Sequence, residues 1–451
     1  MTGSAVSCSP QQPSARERNR FAALYFGMRL GGFLLGLVTA VAAGAVAVES
    51  LSGQAADAPI GKQTFDAVRV ASGATLAAIG NCASCHTERG GKTFAGGLAL
   101  NTPFGVIYST NITPDAETGI GAWTEDDFRR AMHEGVDRDG RNLYPAFPYD
   151  HFTRVSDDDV ASIYAFIMTR EPVHALVPAN RLVFPMNFRP LLSAWKTMFL
   201  HAGTYRPDPT RSAEWNRGRY LVDGLGHCGA CHTPRNALGA EEESHYLGGG
   251  DAEGWHASAL NASSPAPETW TIDQLTRYLR EGSDQDHGTA TGPMSPIVHN
   301  LAEVPDQDVR AIAAYLATVM TDATTAGRRM SAAEGDETAL RNGAAIFRDT
   351  CASCHEESAT SNPSIRTVPL ARTSSIHESD PRNVLHIVLD GIRPESGEKG
   401  PLMPGFEGAL TDEQLVSLLA YMRVHFATRP PWSEIPKQAR AIVQAKSGKE
   451  R

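Results

Sequence analysis

The chain has 451 residues, a length that suits about three domains of ~150 residues, and its apolar and charged fractions are those of a globular protein rather than a disordered one. A formal net charge of −10 without any basic stripe excludes nucleic-acid binding as a reading of the whole chain. Six of the seven cysteines fall in three C-x-x-C-H stretches, which leaves only Cys8 and no intramolecular disulfide if those six are otherwise engaged.

The N-terminus reads as a targeting segment. Arg16, Arg18, Arg20 and Arg29 form a basic flank, and the 19 residues from Leu30 to Val48 carry no charge. The run ends at Ala45-Val46-Ala47, small residues of the kind that precede signal cleavage. It is also long enough to span a bilayer, so an uncleaved anchor competes with a cleaved signal. Both readings leave the basic flank in the cytoplasm and export the remainder of the chain. Residues 1–60 are thus assigned to signal or anchor and linker.

From residue 61 onward one pattern recurs three times. Each copy opens with a helix that carries Gly73, Gly218 or Gly343, followed three residues later by Leu76, Leu221 or Ile346. Glycine inside a helix costs about 1 kcal/mol relative to alanine, so its return suggests a close backbone approach. The helix leads into Cys82-Ala83-Ser84-Cys85-His86, Cys228-Gly229-Ala230-Cys231-His232 or Cys351-Ala352-Ser353-Cys354-His355. This spacing reads as covalent attachment of a c-type haem. Two thiols add across the haem vinyl groups, and the adjacent histidine on the same turn becomes the proximal iron ligand. A structural zinc site would need two such pairs close together, and these lie more than a hundred residues apart.

A Gly-, Asn- and Thr-rich loop comes next, at 105–113 in the first copy and 254–261 in the second. After it stands a short helix, with Thr124 and Thr271 at its N-cap and Gly135, Gly282 and, in the third copy, Gly391 ending it. Each copy closes with an amphipathic helix behind an acidic first turn. Val160, Ile163 and Phe166 correspond to Val309, Ile312 and Tyr315, and to Leu415, Leu418 and Tyr421; the spacing puts each set on one core-facing side. The expected units are 61–175, 211–325 and 326–430, with a linker at 176–210 and a polar tail at 431–451 that reads as a short helix or as disordered.

Between the last two helices of the second and third copies stand Gly292-Pro293-Met294 and Leu402-Met403-Pro404. A methionine beside proline in a loop is a poor core filler, so Met294 and Met403 read as distal iron ligands. In the first copy Phe147 holds that place, in Leu143-Tyr144-Pro145-Ala146-Phe147-Pro148-Tyr149-Asp150-His151, and phenylalanine cannot bind iron. His151 is the first choice of substitute and Met186 the second, ahead of an open sixth position; Met132 matches Leu279 of the second copy and reads as core. His133, His174, His201, His245 and His256 read as surface or loop residues.

A helix bearing C-x-x-C-H, a loop with the distal ligand and a crossing last helix resemble the class I cytochrome c domain. The resemblance covers about 61–430 and implies an all-α chain of three tandem domains with three covalently bound haem c groups. The three-haem arrangement is similar to the cytochrome subunits of membrane-bound bacterial dehydrogenases. The phenylalanine at 147, the stretch Asn261 to Pro267 and the stretch Gly292 to Leu301 look like the cytochromes that serve molybdenum hydroxylases of the aldehyde or nicotinate dehydrogenase type. That likeness implies a molybdopterin catalytic subunit and a [2Fe–2S] subunit as partners, and quinone or an oxidase as acceptor, on the periplasmic side of the inner membrane. The cytochrome subunit of a quinoprotein alcohol dehydrogenase or gluconate-type flavin dehydrogenase is the alternative, and a peroxidase-like enzyme at an open first haem is the alternative of another class. Residues 180–200 alternate aromatic, aliphatic and basic side chains, either as a partner or membrane contact or as a linker folded back on the first unit.

Overall fold

A computed structural model describes residues 64–321, 335–356, 369–393 and 402–449. The expected signal or anchor and Cys8 lie outside them. Among the described residues no helix is long and apolar enough to cross a membrane.

The first unit contains α1 (Ala67–Ile79), a hairpin of β1 (Ala99–Thr102) and β2 (Gly105–Tyr108), α2 (Glu125–Glu134) and α3 (Asp157–Met168). In the linker, β3 (Arg181–Leu182) pairs with β2 and is followed by α4 (Leu191–Phe199). The second unit holds α5 (Ala213–Tyr220), a hairpin of β4 (Gly250–Ala252) and β5 (Trp255–Ala257), α6 (Ile272–Glu281), α7 (Met294–Ala302) and α8 (Asp306–Thr321). The third has α9 (Glu337–Thr350), α10 (Arg382–Asp390), α11 (Asp412–Ala427) and α12 (Ile435–Lys449). The all-α expectation is therefore corrected in one respect. Small antiparallel sheets flank the attachment turns, built from strands of two to four residues that are too short to show period-two alternation in sequence.

The three glycines act as the repeat suggests. In each unit the first helix crosses the last: α1 on α3, α5 on α8 and α9 on α11. A Cβ added at Gly73 would sit 1.9 Å from the Ser162 carbonyl oxygen. At Gly218 it would sit 1.9 Å from that of Ala311, and at Gly343 2.0 Å from that of Ser417. No side chain fits such a gap, so glycine is the condition for the crossing. The matched apolar residues lie behind it: Val160, Ile163, Val309, Ile312, Tyr315, Leu415 and Leu418 are buried, while Phe166 and Tyr421 are half-buried at the crossings.

Helix ends follow side-chain chemistry. Thr124 and Thr271 cap α2 and α6 in reciprocal capping boxes with Asp127 and Gln274, and Thr411 does the same for α11 with Gln414. Gly135 and Gly282 stop α2 and α6 in the left-handed conformation, φ 61° and 73°.

The core is shared unevenly. One apolar cluster runs through the first and second units, from Leu76 to Leu316, while the third unit closes its own. Asn300 of α7 donates to Asn81 Oδ1 and, at 3.3 Å, to Ser84 Oγ in the first attachment turn. The second and third units meet where Asn383 accepts from the His256 N–H at 2.9 Å and donates to its carbonyl at 2.8 Å. Of the two readings of the polar tail, the helix is the one found: Ile435, Ala439 and Ile442 of α12 enter the third core. The 180–200 segment folds back in part. Trp195 is buried against Tyr149 and donates from Nε1 to the Leu238 carbonyl at 3.0 Å, while Val183, Phe184, Phe188 and Met198 stay exposed.

Gly73→Ala should lower stability by about 1 to 3 kcal/mol, the usual cost of overpacking, despite alanine's better helix propensity. At Gly224 the added methyl meets neighbours no closer than 3.6 Å, so Gly224→Ala should change stability far less. Denaturant unfolding of both holoproteins makes the comparison; equal stabilities would show that the crossing tolerates a side chain.

Candidate haem sites

A single cavity of about 3000 Å³ runs through the units, well beyond the roughly 300–1,000 Å³ of ordinary small-molecule sites. Every cysteine and histidine of the three C-x-x-C-H stretches lines it, as do Met294 and Met403. Its walls are mainly aliphatic and aromatic, among them Ile79, Phe128, Ile163, Leu275, Leu279, Val384 and Leu418.

Each motif is a short helical turn after the first helix. Cys82–Cys85, Gly229–His232 and Ala352–His355 are helical, and the His86, His232 and His355 N–H groups donate to the carbonyls of Cys82, Cys228 and Cys351 at 2.9–3.0 Å. That winding puts the two thiols of a pair on the same side of one turn and the imidazole at its end. The six thiols are free, and burial pushes Cys82 and Cys228 up to about 12, which keeps both protonated.

The imidazoles are oriented for a metal. His86 Nδ1 lies 2.7 Å from the Thr110 carbonyl oxygen, and His232 Nδ1 lies 2.6 Å from that of Ser258. A carbonyl only accepts, so each Nδ1 carries the hydrogen and each Nε2 keeps its lone pair. Burial holds His86, His232 and His355 below the usual histidine range, and the neutral ring is the ligating form. His355 Nδ1 is buried with no partner among the described residues. The two carbonyls were not anticipated from sequence. Their spacing, 24 and 26 residues beyond the histidine in the loops at 105–113 and 254–261, was the available signal.

Along the same cavity, Met294 opens α7 close behind Gly292, which has φ 57° and packs on Trp255. Met403 is fixed by a two-way backbone bridge with Ile392, its N–H donating at 2.8 Å and its carbonyl accepting at 3.0 Å. Each thioether is thus carried on backbone pinned beside the cavity. These features fit haem c: paired thiols on one turn, a neutral imidazole with fixed tautomer, and a thioether lining the same space.

The first site differs, and here the expectation for His151 is corrected. His151 does not line the cavity. Its ring is buried, with Nδ1 2.8 Å from the Asp223 carbonyl oxygen and Nε2 2.7 Å from Glu241 Oε1. A ring that donates from both nitrogens has no lone pair for iron. Phe147 lines the cavity and packs on Phe152, with ring centroids 5.2 Å apart. The thioethers lining this end of the cavity are Met132, buried on α2, and Met186, in the linker beyond β3. Two other histidines were also misplaced by sequence: His133 is buried, and His256 is half-buried, 3.6 Å from Glu378.

Comparison with known proteins agrees with this chemistry. Residues 70–171 and 216–320 match the cytochrome c family model, and 338–422 match that of cytochrome c oxidase, cbb3-type, subunit III. A nicotinate dehydrogenase subunit of Pseudomonas putida is 44% identical over 98% of this chain, and the chain spans only 36% of that protein's length. The fructose dehydrogenase cytochrome subunit of Gluconobacter japonicus is 37% identical, with 84% of this chain and 83% of that subunit aligned. The gluconate 2-dehydrogenase cytochrome c subunit of Pantoea cypripedii is 36% identical, with 80% and 86% aligned. Paired thiols, tautomer-fixed imidazoles and these relatives together place the chain in the cytochrome c family, among the haem c-bearing cytochrome subunits of dehydrogenases.

Proposed function

We propose that the chain is a tri-haem electron conduit, with haem-bearing units at 61–175, 211–325 and 326–430. The observation that carries this reading is the continuous cavity, lined by all three motifs, into which His86 and His232 turn tautomer-fixed rings. Cys82 and Cys85, Cys228 and Cys231, and Cys351 and Cys354 would hold the three groups. His86, His232 and His355 would be the proximal ligands, with Met294 and Met403 distal in the second and third units. The bound haem supplies reversible one-electron chemistry. The chain's residues fix its position, exclude water and set its potential through ligand and burial.

For the first haem the distal ligand is Met186. It lines the cavity from a segment pinned on both sides: β3 pairs with β2 before it, and Arg189 after it lies over Tyr144 at 5.0 Å and donates to the Asn142 carbonyl at 2.8 Å. The partner is a molybdopterin dehydrogenase with a [2Fe–2S] subunit, oxidising an aldehyde or N-heterocycle and delivering electrons through this chain to quinone or an oxidase at the periplasmic face. Phe147 and the higher identity to the nicotinate dehydrogenase relative support that choice over a quinoprotein or flavin partner.

Met294→Ala and Met403→Ala should each lower the potential of one haem and open it to carbon monoxide, read by redox titration and by the spectrum of the reduced protein. The parent should bind no carbon monoxide, and Met186→Ala should make the first haem do so. Carbon monoxide binding by the parent would instead mark an open first haem and favour the peroxidase-like reading. Purification from membranes should bring down a large subunit containing molybdenum; a quinoprotein or flavoprotein partner without molybdenum would overturn the assignment.

A further inference from the structure

His151 has lost the role expected of it, and its surroundings point to another. It sits on the short turn Tyr149–Phe152 of the first unit, yet both its partners belong to the second. Asp223 and Glu241 flank the attachment turn at Cys228, one before it and one after. The pair itself lies against that turn: a Cβ at Gly229, between the two haem-attaching cysteines, would fall 2.8 Å from Glu241 Oε2 and 3.0 Å from His151 Cε1. On its other flank, His227 is 6.4 Å away ring to ring and reaches Gly80 O at 3.3 Å, two residues before Cys82. The pair therefore stands between the first and second attachment turns.

The hydrogen bonds fix its charge. The Asp223 carbonyl and the Glu241 carboxylate both accept, so both nitrogens of His151 must carry hydrogen, and the ring is an imidazolium facing a carboxylate. The groups around it are Asp150 on the same turn, Arg154 3.2 Å from the Asp223 carbonyl, Arg235 3.7 Å from Glu241, His227, and the Asp223 carboxylate, which Arg219 and Tyr246 hold. Burial opposes the charged ring, but Glu241 and Asp150 outweigh it and lift the His151 pKa above the ordinary value. Burial and the neighbouring His151 push His227 down to about 4, which leaves it neutral.

Resting on the haem assignment above, we propose that His151 and Glu241 form a redox-linked proton-binding site for the haem held by Cys228 and Cys231. A positive ring buried against the attachment turn of that haem would favour the reduced state, because charges interact more strongly in a low dielectric. By linkage, reduction strengthens proton binding at the pair. Between the His151 pKa of the oxidised state and the higher one of the reduced state, the ring is neutral before reduction. In that pH window up to one proton is taken up at Nε2 as one electron arrives and released when it leaves; outside it none is exchanged. As pH rises through the His151 pKa the imidazolium is lost and the midpoint potential falls. A tenfold difference in proton affinity between the two oxidation states corresponds to about 59 mV for a one-electron couple.

The test is a spectroelectrochemical titration of the haem-loaded full chain between about pH 5 and pH 9, spanning the ordinary histidine range. Met294→Ala identifies the second haem by the shift it causes. The parent should show a fall in that midpoint with rising pH. Glu241→Gln, which removes the carboxylate that favours the imidazolium, should move the step to lower pH. His151→Gln should abolish it while the visible spectra of all haems stay unchanged. If His151→Gln fails to fold, the displacement in Glu241→Gln decides. A pH-independent midpoint in the loaded parent, or a step that neither substitution moves, overturns this proposal alone. An altered spin state in His151→Gln would also overturn it, by making the residue an iron ligand. A chain that carries no haem at those cysteines removes both this proposal and the conduit reading.

Discussion

The near-contact of backbones at Gly73, Gly218 and Gly343 is the constraint on which the rest of the architecture depends. With no Cβ in the way, the first and last helices of each unit cross with a carbonyl oxygen where a methyl would be. The crossing fixes two things at once. It holds the C-terminal end of the first helix, and so the attachment turn, at one wall of the cavity. It also turns the apolar side of the last helix, with Val160 and Ile163, Val309 and Ile312, or Leu415 and Leu418, into the core behind it.

A crossing of two helices and a few short elements is a thin core for about a hundred residues. Much of what would be its centre is the cavity, and a covalently held, largely apolar macrocycle supplies the missing contacts. Covalent attachment and axial ligation then divide the work. In the proposed assignment the thiols would hold the group in place, the Thr110 and Ser258 carbonyls fix the histidine tautomer, and Met294 and Met403 would offer thioethers from backbone pinned beside the same cavity. Because the first two units share one apolar cluster, these sites cannot move independently. Asn300, on the helix that Met294 begins, is bonded to the first attachment turn, and Asn383 ties the third unit to the β5 hairpin of the second.

Local features were legible in the sequence. The C-x-x-C-H turns, the Thr124 and Thr271 caps and the Gly135 and Gly282 stops depend on residues within one or two turns of each other. The crossing glycines were legible because they recur. What stayed hidden depends on distant partners. His151 lies in the expected ligand loop, but its orientation is set by Glu241, 90 residues further on, and by the Asp223 carbonyl 72 residues on. Removing one partner of such a buried pair costs about 3 to 5 kcal/mol, more than loop proximity to an iron could indicate. The hairpins were missed because their strands are too short to alternate. For the tail, a short helix and disorder stayed open because its charged sequence carries only three apolar residues that face the third core, and a partner surface is needed to decide between them.

Three attachment motifs that line one cavity should act as a single electron path. Stoichiometric reductive titration of the purified holoprotein, followed by haem absorbance against chain concentration, tests this most directly. A tri-haem conduit takes up three electrons per chain, and all the haem absorbance changes with them. Two electrons per chain, with one C-x-x-C-H stretch left without haem, would contradict it.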